Sequence, residues 1–244
     1  NISFLASDDL KGRGTSSPEE KQSADYIALG FKSLGLKPFN NSYLKSFSYK
    51  KSLNPHDSST KDLKEKFSQN VVGFLDNGSP YTIVVGAHYD HLGLGFDHNS
   101  LDPNPENKIH NGADDNASGT SALIEIARRL KSGSDTHNNY LIMAFSGEEK
   151  GLLGSNYFIK HPTFDKKKMN YMINMDMIGR LDAQKGIIVS GWCTSKVWGK
   201  LIPDLAKRQN LKYTVDSSGV GASDHTSFYL KNIPVVQFFT GGHG

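Results

Sequence analysis

The sequence predicts an α/β protein built on a largely parallel sheet with helices on both faces. Three observations predict it. From residue 81 onward, short apolar runs alternate with longer amphipathic stretches. The short runs are rich in Val and Ile with no polar alternation, as strands buried on both faces require. In the longer stretches apolar residues recur at helical spacing, as in Leu123, Ile126, Ala127 and Leu130. Such alternation places helix layers over a sheet.

The elements follow in order. Ser17-Pro18-Glu19-Glu20 reads as a capping box with Pro at the first helical position. Ala24, Ile27, Ala28, Phe31 and Leu34 form the buried stripe of that helix, and Gly35 stops it. Residues 41–70 are polar and irregular and read as loops with a weak strand or two; Asn54-Pro55 and Ser58-Ser59 lie among them. YTIVVGA (81–87) is the first buried strand, followed by a loop over 92–116 and the helix of Leu123. YLIMAFS (140–146) is a second strand, and GLLGSNYFIKH (151–161) a helix. YMINMD (171–176) and GIIVSG (186–191) are further strands. Residues 197–210 form a helix in which Pro203 marks a kink or a late start. A short helix begins at Ser223, and PVVQFFT (234–240) is the last strand. One domain over 1–244 accommodates this, without linker or repeat.

Composition narrows the function. With 36% hydrophobic residues in 244, a buried core is attainable. No run approaches the ~20 apolar residues of a membrane span. A net charge of +3, from dispersed Lys and Arg, argues against nucleic acid, and Lys166-Lys167-Lys168 reads as a solvated loop. Cys193 is the only cysteine, so an internal disulfide and a Cys-based zinc finger are excluded. Any metal must be held by His, Asp and Glu.

Those residues are placed where chemistry is expected. Ligands of open α/β sheets bind beyond the carboxyl ends of the strands. His88-Tyr89-Asp90, Gly147-Glu148-Glu149 and Asp176 each follow a predicted strand, and Asp114-Asp115-Asn116 and Ser223-Asp224-His225 flank helix starts. Two imidazoles among several carboxylates point to zinc with an open position for water. Gathered carboxylates repel and take up protons unless divalent cations reverse the penalty. Two Zn2+ ions balance Asp115, Glu149, Asp176 and one bridging hydroxide. One aspartate of the loop then bridges, while its neighbours shape the turn and cap the helix. Of Glu148-Glu149, one binds metal and the other faces the open position as a proton carrier. In His88-x-Asp90, the carboxylate is placed to orient the imidazole.

At these residues the sequence resembles the M28 family of di-zinc aminopeptidases. The matching stretches are GAHYDHLG (86–93), NGADDNASG (111–119), FSGEEKGLLGS (145–155), NMDMIGR (174–180) and ASDHTSF (222–228), with NISFLASDDLKGRGT (1–15) similar to the start of many members. The resemblance implies a three-layer α/β/α sandwich with a mixed, mostly parallel central sheet. It implies two Zn2+ per chain: His88 and Asp176 on one, Glu149 and His225 on the other, Asp115 bridging. Glu148 is then the general base and acid, and Asp90 orients His88. A cis peptide is expected at Asp115–Asn116, and residues 36–80 are too few for the protease-associated insertion of some members. Similar proteins continue past FFTGGHG (238–244) with a Tyr-His-containing loop and a final helix that help form the substrate pocket, so the chain is expected to lack that end and His243 receives no role.

The implied activity is removal of N-terminal residues from peptides, with a free-amine peptide as partner, no nucleic acid, and secreted or periplasmic residence. Rivals on the same fold are a glutaminyl cyclase with one zinc, a carboxypeptidase using Arg180, and a non-catalytic peptide-binding relative. The remaining residues take plainer readings. His91 and His110 are supporting groups, and His56, His98, His137 and His161 surface residues. Tyr89, Trp192 and Trp198 pack, Cys193 is inert, and Asp224 caps or supports the helix of His225.

Overall fold

A computed structural model describes residues 1–50, 63–97, 99–134 and 136–242. Asn54-Pro55, Ser58-Ser59, His56, His98 and His243 lie outside the described residues. The helices are α1 (Ile2–Leu5), α2 (Pro18–Ser33), α3 (Gly119–Ser132), α4 (Leu153–Lys160), α5 (Trp198–Arg208) and α6 (His225–Tyr229). The strands are β1 (Leu44–Tyr49), β2 (Lys66–Leu75), β3 (Thr82–His88), β4 (Asn139–Phe145), β5 (Met169–Met175), β6 (Ile187–Ser190), β7 (Tyr213–Asp216) and β8 (Val235–Phe239).

The apolar runs form the middle of one sheet, ordered β1-β2-β4-β3-β5-β8-β6-β7. Every residue of β3 and β4 is buried. β3 pairs in parallel with β4 and β5, and β5 with β8, so these strands send their carboxyl ends to one rim. The flanks are antiparallel at β1–β2, β2–β4 and β6–β8, which makes the sheet mixed.

Strand alternation divides the core. Val85, Ile142 and Val71 face α2 and α3 through Ile27, Phe31, Leu123 and Ala127. Val84, Leu141, Met143 and Phe145 face α4 and α6 through Phe158, Ile159 and Phe228. α5 covers the far end of the first face with Trp198 and Ile202, sharing Tyr171 and Ile173 with that core. Each such side chain contributes about 1.5–3 kcal/mol when buried.

Local signals behave as expected with instructive exceptions. The Ser17 hydroxyl accepts from the Glu20 N–H at 3.0 Å, while the Glu20 carboxylate turns back to the Ser16 N–H at 2.7 Å. Pro203 lies inside α5 and does not delay its start. The polar stretch 41–70 holds β1 and the first half of β2, stronger strands than its composition implies. The polar residues of β2 are buried because they are bonded. Ser68 meets Glu20, and Asn70 bridges the Gly154 carbonyl and the Ser146 N–H. β7 has no counterpart in the sequence reading, since it is a mostly exposed edge strand without an apolar pattern.

Candidate metal centre

Parallel pairing brings three strand ends together. His88 is the last residue of β3, Asp176 directly follows β5, and Glu148 and Glu149 lie on the turn after β4. Asp115 arrives on the non-helical loop step that leads into α3, with φ −103° and ψ 96°. Its neighbours explain why three such residues stand in a row. Asn116 Oδ1 accepts from the Gly119 N–H at 2.9 Å and the Met177 N–H at 3.2 Å, and its Nδ2 donates to the Met175 carbonyl at 2.9 Å. Asp114 Oδ1 accepts from the Gly179 N–H at 2.6 Å. Both flanking side chains thus fasten the loop to the end of β5, and the Asp115 carboxylate is left to face the rim. The Asp115–Asn116 peptide is cis, as expected.

The Asp115 oxygens face different imidazoles. Oδ1 lies 3.3 Å from His88 Nε2, which is also 3.2 Å from Asp176 Oδ1 and 4.0 Å from Glu148 Oε2. Oδ2 lies 3.9 Å from His91 Nδ1, which is 2.7 Å from Glu149 Oε1. Two donor groups result, His88–Asp115–Asp176 and His91–Asp115–Glu149, each with its ligand atoms within 4.8 Å of one another.

Orientation of His88 differs from the sequence reading. Its Nδ1 faces the main-chain carbonyl of Asp90 at 3.1 Å, whereas the Asp90 carboxylate stands 3.7 Å away. A proton on Nδ1 leaves Nε2 free as a ligand atom. The Asp90 carboxylate is drawn elsewhere, to the Glu148 N–H at 3.1 Å and the Thr15 hydroxyl at 2.7 Å. Asp90 therefore fixes the turn that carries Glu148 as much as the imidazole. Thr120 donates to the His88 carbonyl at 2.7 Å.

Electrostatics show that the donor set fits divalent cations. Burial alone would lower the His88 pKa, but Asp176, Glu148 and Asp115 overcome it and raise it well above its ordinary value. The surroundings therefore demand positive charge at this point. Burial pushes Glu148 well above the usual carboxylate range, with Asp176, Asp224 and Glu149 adding to it and His88 opposing. Burial and Asp115 raise Glu149 against the bond from His91. Hard oxygen and imidazole donors that strain against their own charge suit Zn2+.

Four of the five predicted ligands converge: His88, Asp115, Glu149 and Asp176. His225 stands outside both groups, and His91 occupies the place beside Glu149 that His225 was expected to take. His225 opens α6, packs against Gly221, and has neither ring nitrogen bonded among the described residues. Burial lowers its pKa to about 4, so it is neutral. Asp224, expected to cap or support the helix of His225, stands at its N-cap position without a side-chain cap bond. It is fully buried, and burial raises it to about 7 against the attraction of His88. Tyr89 is buried and donates to the Gln69 carbonyl, His110 faces the Pro105 carbonyl, and His137, His161 and Cys193 are exposed.

Sequence reading missed Arg13, which no strand or helix pattern singles out. Its buried guanidinium lies near Asp90, Asp115 and Glu149, and its pKa falls to about 10 by burial against their attraction. Two clefts open on the cluster. One of about 440 Å3 is lined by His91, Gly112, Asp115, Gly179 and Arg180, the other of about 390 Å3 by Asn99, Glu148, Glu149, Gly151 and Ala222. A larger cavity of about 650 Å3, walled by Phe67, Leu92 and Phe96, contains none of the candidate ligands.

Fold and donor set together define a class: an α/β/α sandwich carrying a paired carboxylate–imidazole centre at the carboxyl ends of its central strands. Solved structures of that architecture include the zinc aminopeptidase BSAP of Bacillus subtilis, with a TM-score of 0.75 at 19% identity over 98% of this chain and 83% of that one. A glutaminyl cyclase of Porphyromonas gingivalis is alike at TM-score 0.74 and 17% identity, covering 98% and 82%. These likenesses concern the fold. The model of peptidase family M28 matches residues 70–244, and the chain belongs to that family. A "Probable leucine aminopeptidase" of Trichophyton verrucosum is 33% identical over 180 residues, 69% of this chain and 45% of that protein. Aminopeptidase YwaD of Bacillus subtilis is 31% identical over 193 residues, 71% and 36%. The chain thus spans about half or less of the length of these two relatives.

Proposed function

We propose that this chain carries the active site of a metallo-aminopeptidase, with two Zn2+ held around Asp115. The shared Asp115, one oxygen toward each imidazole-containing group, is the observation that carries the reading. His88 and Asp176 complete one site and Glu149 the second. Two imidazoles compete for the remaining place there: His91, bonded to Glu149, and His225, buried with both nitrogens unpartnered. Zinc counts of H91A and H225A decide between them.

Bound zinc would acidify a water and polarise the scissile carbonyl. The remaining work falls to the chain. Glu148 is 9% exposed and borders the cleft with Glu149. Burial keeps its basicity high, so it takes a proton from the attacking water and returns it to the leaving amine. Asp90 holds the Glu148 backbone and, with Thr15, keeps the turn in place.

Glu148→Gln is expected to lower kcat by about 10²–10⁴-fold while zinc content stays at wild-type level. The assay is an aminoacyl-chromogen panel with and without chelator. Near-normal turnover in the variant would remove Glu148 from this role, and insensitivity to chelator would remove the metal. The family membership leaves secreted or periplasmic residence as part of the proposal, to be checked by fractionation. Arg180 on the wall of the cleft beside Asp115 favours a carboxypeptidase as the second reading. Preference for N-blocked over free-amine peptides would establish it.

A further inference from the structure

Arg13 bonds to three separate parts of the chain beside the candidate metal centre. Among the described residues it is the largest side chain with no exposed surface. Its Nε donates to the Tyr89 carbonyl at 2.8 Å, between His88 and Asp90. Its Nη1 donates to the Leu5 carbonyl and, at 2.7 Å, to that of Asn111. Its Nη2 donates to the Gly112 carbonyl at 3.0 Å, just ahead of Asp115. One guanidinium therefore binds the end of β3, the N-terminal helix and the loop of the bridging aspartate. Among the described residues no carboxylate forms an ion pair with it. A guanidinium facing only carbonyls, beneath an acidic cluster, serves geometry through its planar fork.

The backbone reinforces this. Lys11, Gly12 and Arg13 have φ of 42°, 71° and 49°, a left-handed stretch that side-chain-bearing residues rarely adopt. A Cβ on Gly12 would lie 2.4 Å from the His110 carbonyl oxygen and 2.6 Å from that of Gly93. The Arg13 carbonyl accepts from the His91 N–H at 3.2 Å, and the Gly12 carbonyl from the Gly93 N–H at 3.0 Å. Unfavourable backbone at a functional site persists where surrounding contacts over-determine it.

We propose that Arg13 is a positioning residue of the metal centre, setting the separation of His88 and Asp115 by clamping the chain on either side of them. This rests on the zinc reading above. Geometry and charge predict opposite signs. If Arg13 acted only as a buried positive charge, removing it would tighten cation binding. If it positions, both Arg13→Lys, which keeps charge but loses the fork, and Arg13→Met weaken it.

Apo wild type and both variants are titrated with Zn2+ against a chromogenic chelator, well below each melting temperature, and with Co2+ to record its visible spectrum. Zinc affinity at least about tenfold weaker in both variants is expected, in the range for lost outer partners of a metal site, with an altered Co2+ spectrum. Affinity of R13K within twofold of wild type, or tighter binding by R13M, would overturn the proposal. Should both variants fail to fold, Asn111→Ala serves. It frees the same loop from the Ala6 carbonyl and Asp8 while leaving Arg13 in place. Weaker zinc binding by N111A at an unchanged melting temperature is then expected, and unchanged affinity overturns the proposal. Wild type that binds no zinc would instead sink the metal reading itself.

Discussion

Asp115 and Glu20 show how one carboxyl group can be given two fates by burial and partners. Asp115 is held below the usual carboxylate range by His88, His91 and Arg13, although burial opposes them. Asp115→Asn keeps the shape but loses the charge shared by both groups. On the two-zinc proposal, zinc content should fall to at most one per chain, with affinity down by more than the about 10–100-fold cost of a lost outer partner; metal analysis after dialysis checks this. Glu20 is buried with Ser68, Ser146 and the Ser16 N–H for company. Burial and the nearby Asp90 raise its pKa from 4.5 to about 8, against those hydrogen bonds. Between these values the folded state binds more protons than the unfolded state, so Glu20 costs stability as pH rises from 4.5 to about 8. Glu20→Gln should remove that slope and stabilise the protein at pH 9 by about 1–3 kcal/mol, read from urea unfolding across pH. Residue types at the rim were legible because acids and imidazoles after apolar strands have few other uses. The partner of each was not: His91 lies 2.7 Å from Glu149, a contact set by the loop path that spacing along the chain does not reveal.

At the scale of the element, the loop entering α3 is a device for presenting one carboxylate. Asn116 makes three bonds that fasten the loop to the end of β5 and cap α3. Asn116→Ala should cost about 1.5–4.5 kcal/mol, at about 0.5–1.5 per lost bond, and weaken zinc binding as well. Chemical unfolding with and without zinc checks both. Ser17→Ala at the start of α2 should cost about 1 kcal/mol and leave zinc affinity unchanged. Periodicity revealed α2, α3 and the central strands because their buried faces are apolar. It understated β2, whose inward Ser68 and Asn70 are satisfied by Glu20, Gly154 and Ser146 from elsewhere in the chain. A buried polar residue looks like a loop residue until its partner is known.

On the scale of the whole molecule, the centre is a junction of distant segments. Asp90, Asp115 and Glu149 lie near Arg13, and Asp115, Asp176 and Glu149 meet the imidazoles of His88 and His91. Removing zinc should loosen that junction. At zinc concentrations about 100 times Kd, chelation should lower stability by about 2.7 kcal/mol for each occupied site and depress the melting temperature. An unchanged melting curve on chelation would contradict this. The sequence by itself determined the α/β class, the order of the central strands along the chain, the rim where chemistry gathers, and the Glu148-Glu149 pair placed on it. Those rest on local periodicity and on acids placed after apolar runs, which neighbouring residues suffice to reveal. Only the tertiary structure decided the mixed pairing of the sheet, the pairing of His91 with Glu149, the bonds of Asp90 and the clamp of Arg13. These depend on which groups come within a few ångströms across long loops, and hydrogen bonds and charges act at that range whatever the separation along the chain.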